Sequence, residues 1–301
     1  MPIQFSVLAS GSRGNTTLVR AGHAGLLIDF GLIPNVLESR LSEVGSGWNH
    51  ISAALLTHTH GDHVNPSTLR WFANQKVLLY CHEGHRANLA TRPGFRELDG
   101  LGLVRHFDDR PFLTPMGMRV EAVELSHDGG PTFGFRIEGR PERKARPVSV
   151  GYLADTGTWT EAMAEAMSDV ALLGVEFNHD VDLQRRSGRA AYLIARNLGP
   201  RGHLSNDQGA GLVASVLRRS APGSLRHLVL LHLSEQCNRP ALAIEQAQGA
   251  VRASGRKVAV HAARQRDAFP DLQVLAGRKP RAVVRGLVGP NPPSLFPWEV
   301  D

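Results

Sequence analysis

Four potential metal donors fall within six residues at His58-Thr59-His60-Gly61-Asp62-His63, directly after the apolar stretch Ile51–Leu56. No other segment constrains the fold as strongly. An extended backbone puts His58 and His60 on one side, where both can reach a single ion. Gly61 predicts a sharp turn, after which Asp62 and His63 face a second ion. Imidazole and carboxylate are the donors that Zn²⁺, Mn²⁺ or Fe²⁺ accept. With 14 histidines and only Cys81 and Cys237, the chain points to a histidine–carboxylate centre rather than a thiolate one. Such a cluster must sit at the open end of a strand, with its remaining ligands brought in from elsewhere.

Three strand ends offer them. His127 follows an alternating segment in Glu124-Leu125-Ser126-His127-Asp128-Gly129-Gly130. Asp155 stands where Gly151-Tyr152-Leu153-Ala154 runs into Thr156-Gly157, and His232 ends the apolar Leu228–Leu231. Each alone reads as a cap or a core histidine. Their common position after a strand makes them ligand candidates.

Strand and helix signals alternate along the rest of the chain. Ile3–Ala9 and Thr16–Val19 predict strands around the turn Ser10-Gly11-Ser12-Arg13-Gly14-Asn15, with a third at Gly25–Asp29. Further strands are expected at Ser52–Thr57, Val77–Tyr80, Met118–Leu125, Thr132–Ile137, Val148–Leu153, Val170–Val175, Leu228–Leu231 and Lys257–Val260. Helical spacing marks Ile33–Val44, Glu83–Ala90, Trp159–Ala166, Asn206–Arg219 (with Ser205 as N-cap) and Ala241–Ser254. The expected class is α/β, two sheets with helices outside. A domain over residues 1–263 is followed by an extension, 264–301, in which the segment from Arg278 holds five of the 18 prolines. That extension is expected to pack on the domain or be disordered.

At 301 residues and 42 % hydrophobic, the chain is neither disordered nor collagen-like, and no apolar run reaches the ~18–20 residues of a membrane helix. Met1–Leu8 lacks the basic start of a signal peptide and reads as a strand. Two cysteines are too few for a disulfide framework, so the expected compartment is a reducing cytoplasm. The net charge of +6 matters less than its distribution. Arg185 to Arg226 holds eight arginines and one acid, Asp207, either a solvated surface or a track for a polyanion.

The set His58-x-His60-x-Asp62-His63, His127, Asp155 and His232 resembles the metal set of the metallo-β-lactamase superfamily, over about residues 3–262. The resemblance implies an αβ/βα sandwich of two mixed sheets flanked by helices. It also implies a centre for two divalent ions, zinc or manganese. By the superfamily pattern His58, His60 and His127 hold one ion and Asp62, His63 and His232 the other, with Asp155 between them.

Finer motifs narrow the resemblance. Ser10-Gly11-Ser12-Arg13-Gly14-Asn15, Leu125-Ser126-His127-Asp128, Glu176-Phe177-Asn178-His179-Asp180, Gly202-His203-Leu204-Ser205-Asn206 and His232-Leu233-Ser234-Glu235-Gln236-Cys237-Asn238-Arg239-Pro240 are similar to the YycJ/WalJ group. That group is described as 5′→3′ double-stranded DNA exonucleases. Cys237 stands where the group often has a second Asn, and the proline-rich end lies outside its pattern. The interval from Asp155 to His232 is too short for the inserted domain of β-CASP nucleases.

The implied activity is metal-dependent phosphodiester hydrolysis on double-stranded DNA, with a role in repair. Asp62 and His203 are the catalytic candidates, His203 as donor of a proton to the leaving oxygen. Glu176 and His179 are candidates to orient His203 or a ligand. Ser10, Ser12, Arg13, Asn15, Asn178, Ser205 and Asn206 are candidate substrate contacts. Two alternatives stay open: an RNA- or tRNA-processing nuclease of the same fold, and a small-molecule hydrolase for thioesters, lactones or cyclic nucleotides.

Overall fold

The computed structural model describes residues 3–139 and 147–275. Its first seven-stranded sheet begins with β1 (Ile3–Ala9), β2 (Thr16–Ala21) and β3 (Ala24–Ile28), an antiparallel meander. It continues in parallel through β4 (Ile51–Leu55), β5 (Leu78–His82) and β6 (Val104–Phe107). The second sheet follows the same plan. β7 (Phe112–Leu113), β8 (Arg119–Leu125), β9 (Thr132–Gly139) and β10 (Val148–Leu153) pair antiparallel. β11 (Leu172–Glu176), β12 (His227–Leu231) and β13 (Ala259–Ala262) then run parallel to β10. The chain returns to the first sheet as β14 (Asp271–Val274), antiparallel to β1.

Alternation within strands sorts the apolar side chains into layers. Leu26 and Ile28 of β3 face inward with Phe5, Phe135, Val150, Tyr152 and Val229, forming the core between the sheets. Leu27 points outward and packs with Leu8, Leu18 and Leu79 beneath helices α1 (Pro34–Glu43), α2 (Pro66–Gln75), α3 (Arg86–Leu89) and α4 (Pro93–Gly100). On the second sheet, Leu153, Val175 and Leu230 pack under α5 (Glu161–Ala166), with α6 (Val181–Arg185) and α7 (Ala191–Leu198) next in the chain. α8 (Asn206–Arg219) and α9 (Pro240–Ala253) complete that layer. The sandwich is therefore the expected one, with helices outside both sheets.

Several elements differ from the sequence reading. The helix expected at Glu83–Ala90 is a 3₁₀ turn, Glu83–His85, continued by α3. Helix α2 was not anticipated, although Asn65-Pro66 marks its start: Asn65 Oδ1 accepts from Ser67 N at 3.0 Å and Pro66 supplies a helical φ. β14 lies inside the expected extension, where it covers the otherwise open edge of β1. The rest of that segment, 276–301, lies outside the described residues.

Candidate metal centre

The carboxyl ends of the parallel strands converge at one edge of the sandwich, the usual place for a site in such sheets. His58 to His63 follow β4, His127 follows β8, Asp155 follows β10, Glu176 ends β11 and His232 follows β12. Asp155 (φ 61°) and His232 (φ 55°) are left-handed, as is Asp29 (φ 60°) after β3. Non-glycine residues rarely adopt this conformation, and each such residue costs roughly 1 kcal/mol or more. Two glycines permit close approach. A Cβ on Gly129 would stand 2.5 Å from His58 Cδ2, and one on Gly31 would stand 1.8 Å from Asp62 O. Gly61 has no positive φ and open space around it, so the turn expected there does not depend on glycine.

All seven proposed ligands come together. His58, His60 and His127 form one donor group, Asp62, His63 and His232 a second, and Asp155 joins groups with His58 and His63 and with His232. Hydrogen bonds to Nδ1 orient the rings. His63 Nδ1 lies 2.7 Å from Asp29 Oδ2, His127 Nδ1 2.9 Å from Gly202 O, and His232 Nδ1 3.0 Å from Glu176 Oε1. His58 Nδ1 lies 3.0 Å from Thr57 Oγ1. These bonds leave the Nε2 atoms to face the site: His58 Nε2 and His232 Nε2 are buried with no hydrogen-bond partner, and His63 Nε2 lies 2.8 Å from Asp155 Oδ2. His60 instead turns Nδ1 toward His127 Nε2, 3.3 Å away. Buried, unpartnered lone pairs aimed at one another are the environment a cation satisfies. The residues fit divalent ions.

Electrostatics agrees. Burial opposes ionisation of Asp155, but His232 and His63 outweigh it and hold the carboxyl well below its usual range. Asp62 is likewise brought to about 2 against burial, chiefly by His232 and His63, and Glu176 to about 2 by His203 and His232. Burial works against charged His63 and His232, yet Asp29 and Asp155 push the first well up and Asp155 the second. His58 goes the other way, driven well down by burial and by His63. Access is from the side of His60 and Asp62, whose side chains are 36 % and 24 % exposed while His63 and Asp155 are almost wholly covered.

The other candidates divide. Glu176 is at the centre: Oε1 lies 2.8 Å from His203 Nδ1, and Oε2 accepts from Thr156 N at 2.9 Å. His203 stands between the ligands, its ring centroid 5.0 Å from that of His127 and 5.1 Å from that of His232. His179 is buried without a partner on either ring nitrogen, makes no hydrogen bond to His203, and is lowered to about 4 by burial. Ser10 Oγ accepts from His232 N at 2.8 Å, and Asn15 Nδ2 lies 3.1 Å from Asp62 Oδ2 and 2.9 Å from His63 Nε2, so both brace ligands. Asn178 Nδ2 donates to His232 O at 2.8 Å. Ser205 caps α8 through Gln208 N, and Asn206 pairs with Asn238, which occupies both side chains inside the fold. Arg13 is exposed, 3.6 Å from Glu235, and Ser12 lines a small cavity beside His203.

Sequence reasoning passed over Asp29 as a site residue. Its only signal was an acid at a strand end, with no neighbouring donor to give it weight. The arginine-rich segment also does not form one track. Arg185 ends α6, Arg186 and Arg189 lie between α6 and α7 and Arg196 lies in α7; of these Arg189 and Arg196 line the cavity beside His203, and Arg201 donates to His127 O at 3.3 Å. Arg218 and Arg219 end α8, and Arg226 precedes β12, at the opposite end of the strands; Arg219 is paired with Glu161 and Glu165.

Residues 30–232 match the beta-lactamase superfamily domain, and the chain belongs to that family. Fold and donor set place it among the metal-dependent hydrolases. Its relatives include the exodeoxyribonuclease YycJ of Bacillus anthracis, 29 % identical with 81 % of this chain and 87 % of that protein covered. The exodeoxyribonuclease WalJ of Streptococcus pneumoniae is 27 % identical, with 80 % and 85 % covered. A ribonuclease Z of Mycolicibacterium gilvum is 41 % identical, but over only 45 % of this chain and 57 % of its own length. Among solved structures, the metallo-beta-lactamase fold protein YhfI from Bacillus subtilis superposes with a TM-score of 0.63 at 17 % identity, covering 88 % of this chain and 98 % of that one, a likeness of fold. Among the described residues no helix is long and apolar enough to cross a membrane.

Proposed function

We propose that this chain is a phosphodiesterase using two divalent ions, zinc or manganese, and removing nucleotides in the 5′→3′ direction from double-stranded DNA. The observation that carries this reading is the Glu176–His203 pair set against the complete donor group. His58, His60 and His127 would hold one ion, Asp62, His63 and His232 the other, and Asp155 both. Bound there, the ions would supply Lewis acidity to the phosphoryl group and activate water at neutral pH.

The task left to the protein is the departing sugar oxygen, a poor leaving group until it gains a proton. His203 is the residue placed to give it. Glu176 holds Nδ1, which fixes the ring and leaves Nε2 as the donating atom. Burial disfavours the charged ring, while Glu176 Oε1 beside Nδ1 favours it. Glu176 is the orienting group, and Asp62 serves catalysis as a ligand at the open rim. His179 has no bond to His203, and its backbone pairs with Ser205 at the start of α8. Ser12 and Asn178 are the candidate contacts that line the small cavity. Such an activity suits DNA repair, and the free buried Cys81 and Cys237 suit a reducing cytoplasm.

The ribonuclease Z likeness supports an RNA-processing alternative with the same site chemistry. One assay separates the readings: end-labelled duplex DNA, single-stranded DNA and RNA, each with Mn²⁺ or Zn²⁺. Stepwise loss from 5′ ends of duplex DNA is expected. Cleavage of RNA alone would transfer the reading to RNA processing, and no cleavage of any polymer would return it to small-molecule hydrolysis.

A further inference from the structure

The second sheet carries an open edge and a cationic groove side by side, away from the metal centre. β13 is last in the order of that sheet and, among the described residues, pairs only with β12. Ala259 N donates to Arg226 O and Ala263 N to Leu230 O, both at 2.9 Å. The peptide groups of Val260 and Ala262, the alternate residues, therefore turn to the open side. Such an edge is a template for a further strand. Val258 and Val260 pack in the layer of α9, and a groove of about 570 Å³ lies beside them. Val251 and Val258 give the groove apolar walls, and Arg252, Arg256 and Lys257 give it three cations; no carboxylate lines it.

Helix polarity explains only part of that charge. A helix C-terminus attracts cations, which accounts for Arg252 in the last turn of α9. Arg256 and Lys257 lie past the helix, in the link to β13. Arg256 Nη2 donates to Ser220 O at 3.2 Å, which fixes the guanidinium without neutralising it. Ala259 pairs with His227, the first residue of β12, whereas the ligand His232 follows the last. The groove is thus separated from the metal centre by the length of β12, roughly 17 Å at ~3.3 Å per residue.

We infer that the β13 edge and this groove receive an extended acidic segment of a partner protein. The backbone of that segment continues the sheet beyond Val260 and Ala262. Every second side chain then falls on the α9 side, where apolar groups meet Val251 and Val258 and carboxylates meet Arg252, Arg256 and Lys257. Nucleic acid matches the surface less well. Phosphate has no counterpart to the open peptide groups and gains nothing from the two valines. A partner docked here leaves the metal centre uncovered, so the surface recruits the enzyme without blocking it. The inference is independent of which substrate the metals act on.

Fluorescence anisotropy with the full chain and a short labelled peptide of alternating Asp and Val tests this. An alternating Lys and Val peptide controls for the sign of charge. A fully N-methylated Asp and Val peptide keeps the charge but donates no backbone hydrogen bond. Wild type should bind the unmodified acidic peptide about tenfold or more tighter than either control. Arg252→Glu, Arg256→Glu and Lys257→Glu combined should weaken it about tenfold or more, the worth of three exposed pairs, with metal content unchanged. Arg252→Gln with Lys257→Gln, a milder change at two exposed positions, should weaken it about threefold. Equal affinity of wild type and both variants overturns the inference, as does equal binding of the methylated or the basic peptide. If short duplex DNA, with EDTA present, displaces the peptide and loses its own affinity in the triple variant, the groove is a nucleic-acid contact and the inference also falls.

Discussion

Asp29 and Asp155 occupy corresponding places in the two sheets. Each follows the strand at which antiparallel pairing gives way to parallel, β3 in one and β10 in the other. Each is buried, and each is left-handed, at φ 60° and 61°. Their surroundings then separate them. Asp29 accepts from Thr57 N at 2.9 Å, from Thr57 Oγ1 at 3.0 Å and from His63 Nδ1 at 2.7 Å, which uses both oxygens. Asp155 Oδ1 lies 2.9 Å from His232 Nδ1 and Oδ2 2.8 Å from His63 Nε2, so both of its oxygens face ligand histidines rather than an anchoring backbone. Protonation follows suit. Burial raises Asp29 despite His63, whereas His232 and His63 overcome burial and lower Asp155. The same backbone device thus yields an orienting carboxylate in one sheet and an open ligand in the other; the neighbouring donors decide which.

The comparison breaks most visibly at Asp155. Asp155→Asn keeps shape but removes the charge both donor groups share, so metal content should fall from near two ions per chain to below one, with turnover at background. Metal analysis alongside a nuclease assay checks both. Full loading and activity in Asp155→Asn would make the two aspartates equivalent.

His203→Ala tests what the second sheet adds beyond ligands. Turnover should drop about 10²–10⁴-fold with both ions retained, the usual span for a lost general acid. The loss should shrink on a p-nitrophenyl phosphodiester, whose leaving group needs little protonation. An equal loss on both substrates would assign His203 to positioning.

Asp29→Asn is expected to do less. It keeps the bonds from Thr57 but weakens the charge that sets the His63 tautomer, so metal affinity should fall about 10–100-fold. Competition with a chelator would measure this. Activity should return at saturating metal, which it cannot do in Asp155→Asn.

The two aspartates also show what a sequence discloses. The run His58 to His63 is contiguous, so donor type and spacing appear in one glance. Asp155 and His232 were found because each ends a strand in an order that completes that run. Asp29 ends a strand too, but its partner Thr57 lies 28 positions away and nothing local links them. Helix α2 is legible after the fact, in Asn65-Pro66 and the buried face Leu69, Phe72 and Ala73, whereas β14 is not, because only pairing with β1 makes so short a strand stable. The arginine-rich segment was legible as composition, but only the fold shows that its two ends lie at opposite ends of the strands.

The smallest expected effect lies at the seam between the sheets, where His85 of the first half meets the loop carrying His127. His85 Nε2 lies 2.8 Å from Pro131 O, and its Nδ1 accepts from His82 N at 3.3 Å, so the ring is neutral with its hydrogen on Nε2. Burial lowers its pKa to about 4, while the unfolded chain has the ordinary value near 6.5. Between those values the unfolded state binds a proton that the folded state refuses, so stability falls as pH drops through the window. From pH 7 to pH 5 this amounts to about 2 kcal/mol. His85→Gln can donate to the same carbonyl but does not titrate. Its unfolding free energy at pH 7 should lie within about 1 kcal/mol of wild type, while its loss on going to pH 5 should be smaller by about 2 kcal/mol. Metal release on acidification affects both proteins and cancels in the difference. If both lose the same amount, His85 does not control the acid sensitivity of the seam, and the unpartnered His179, also lowered to about 4, is the next residue to substitute.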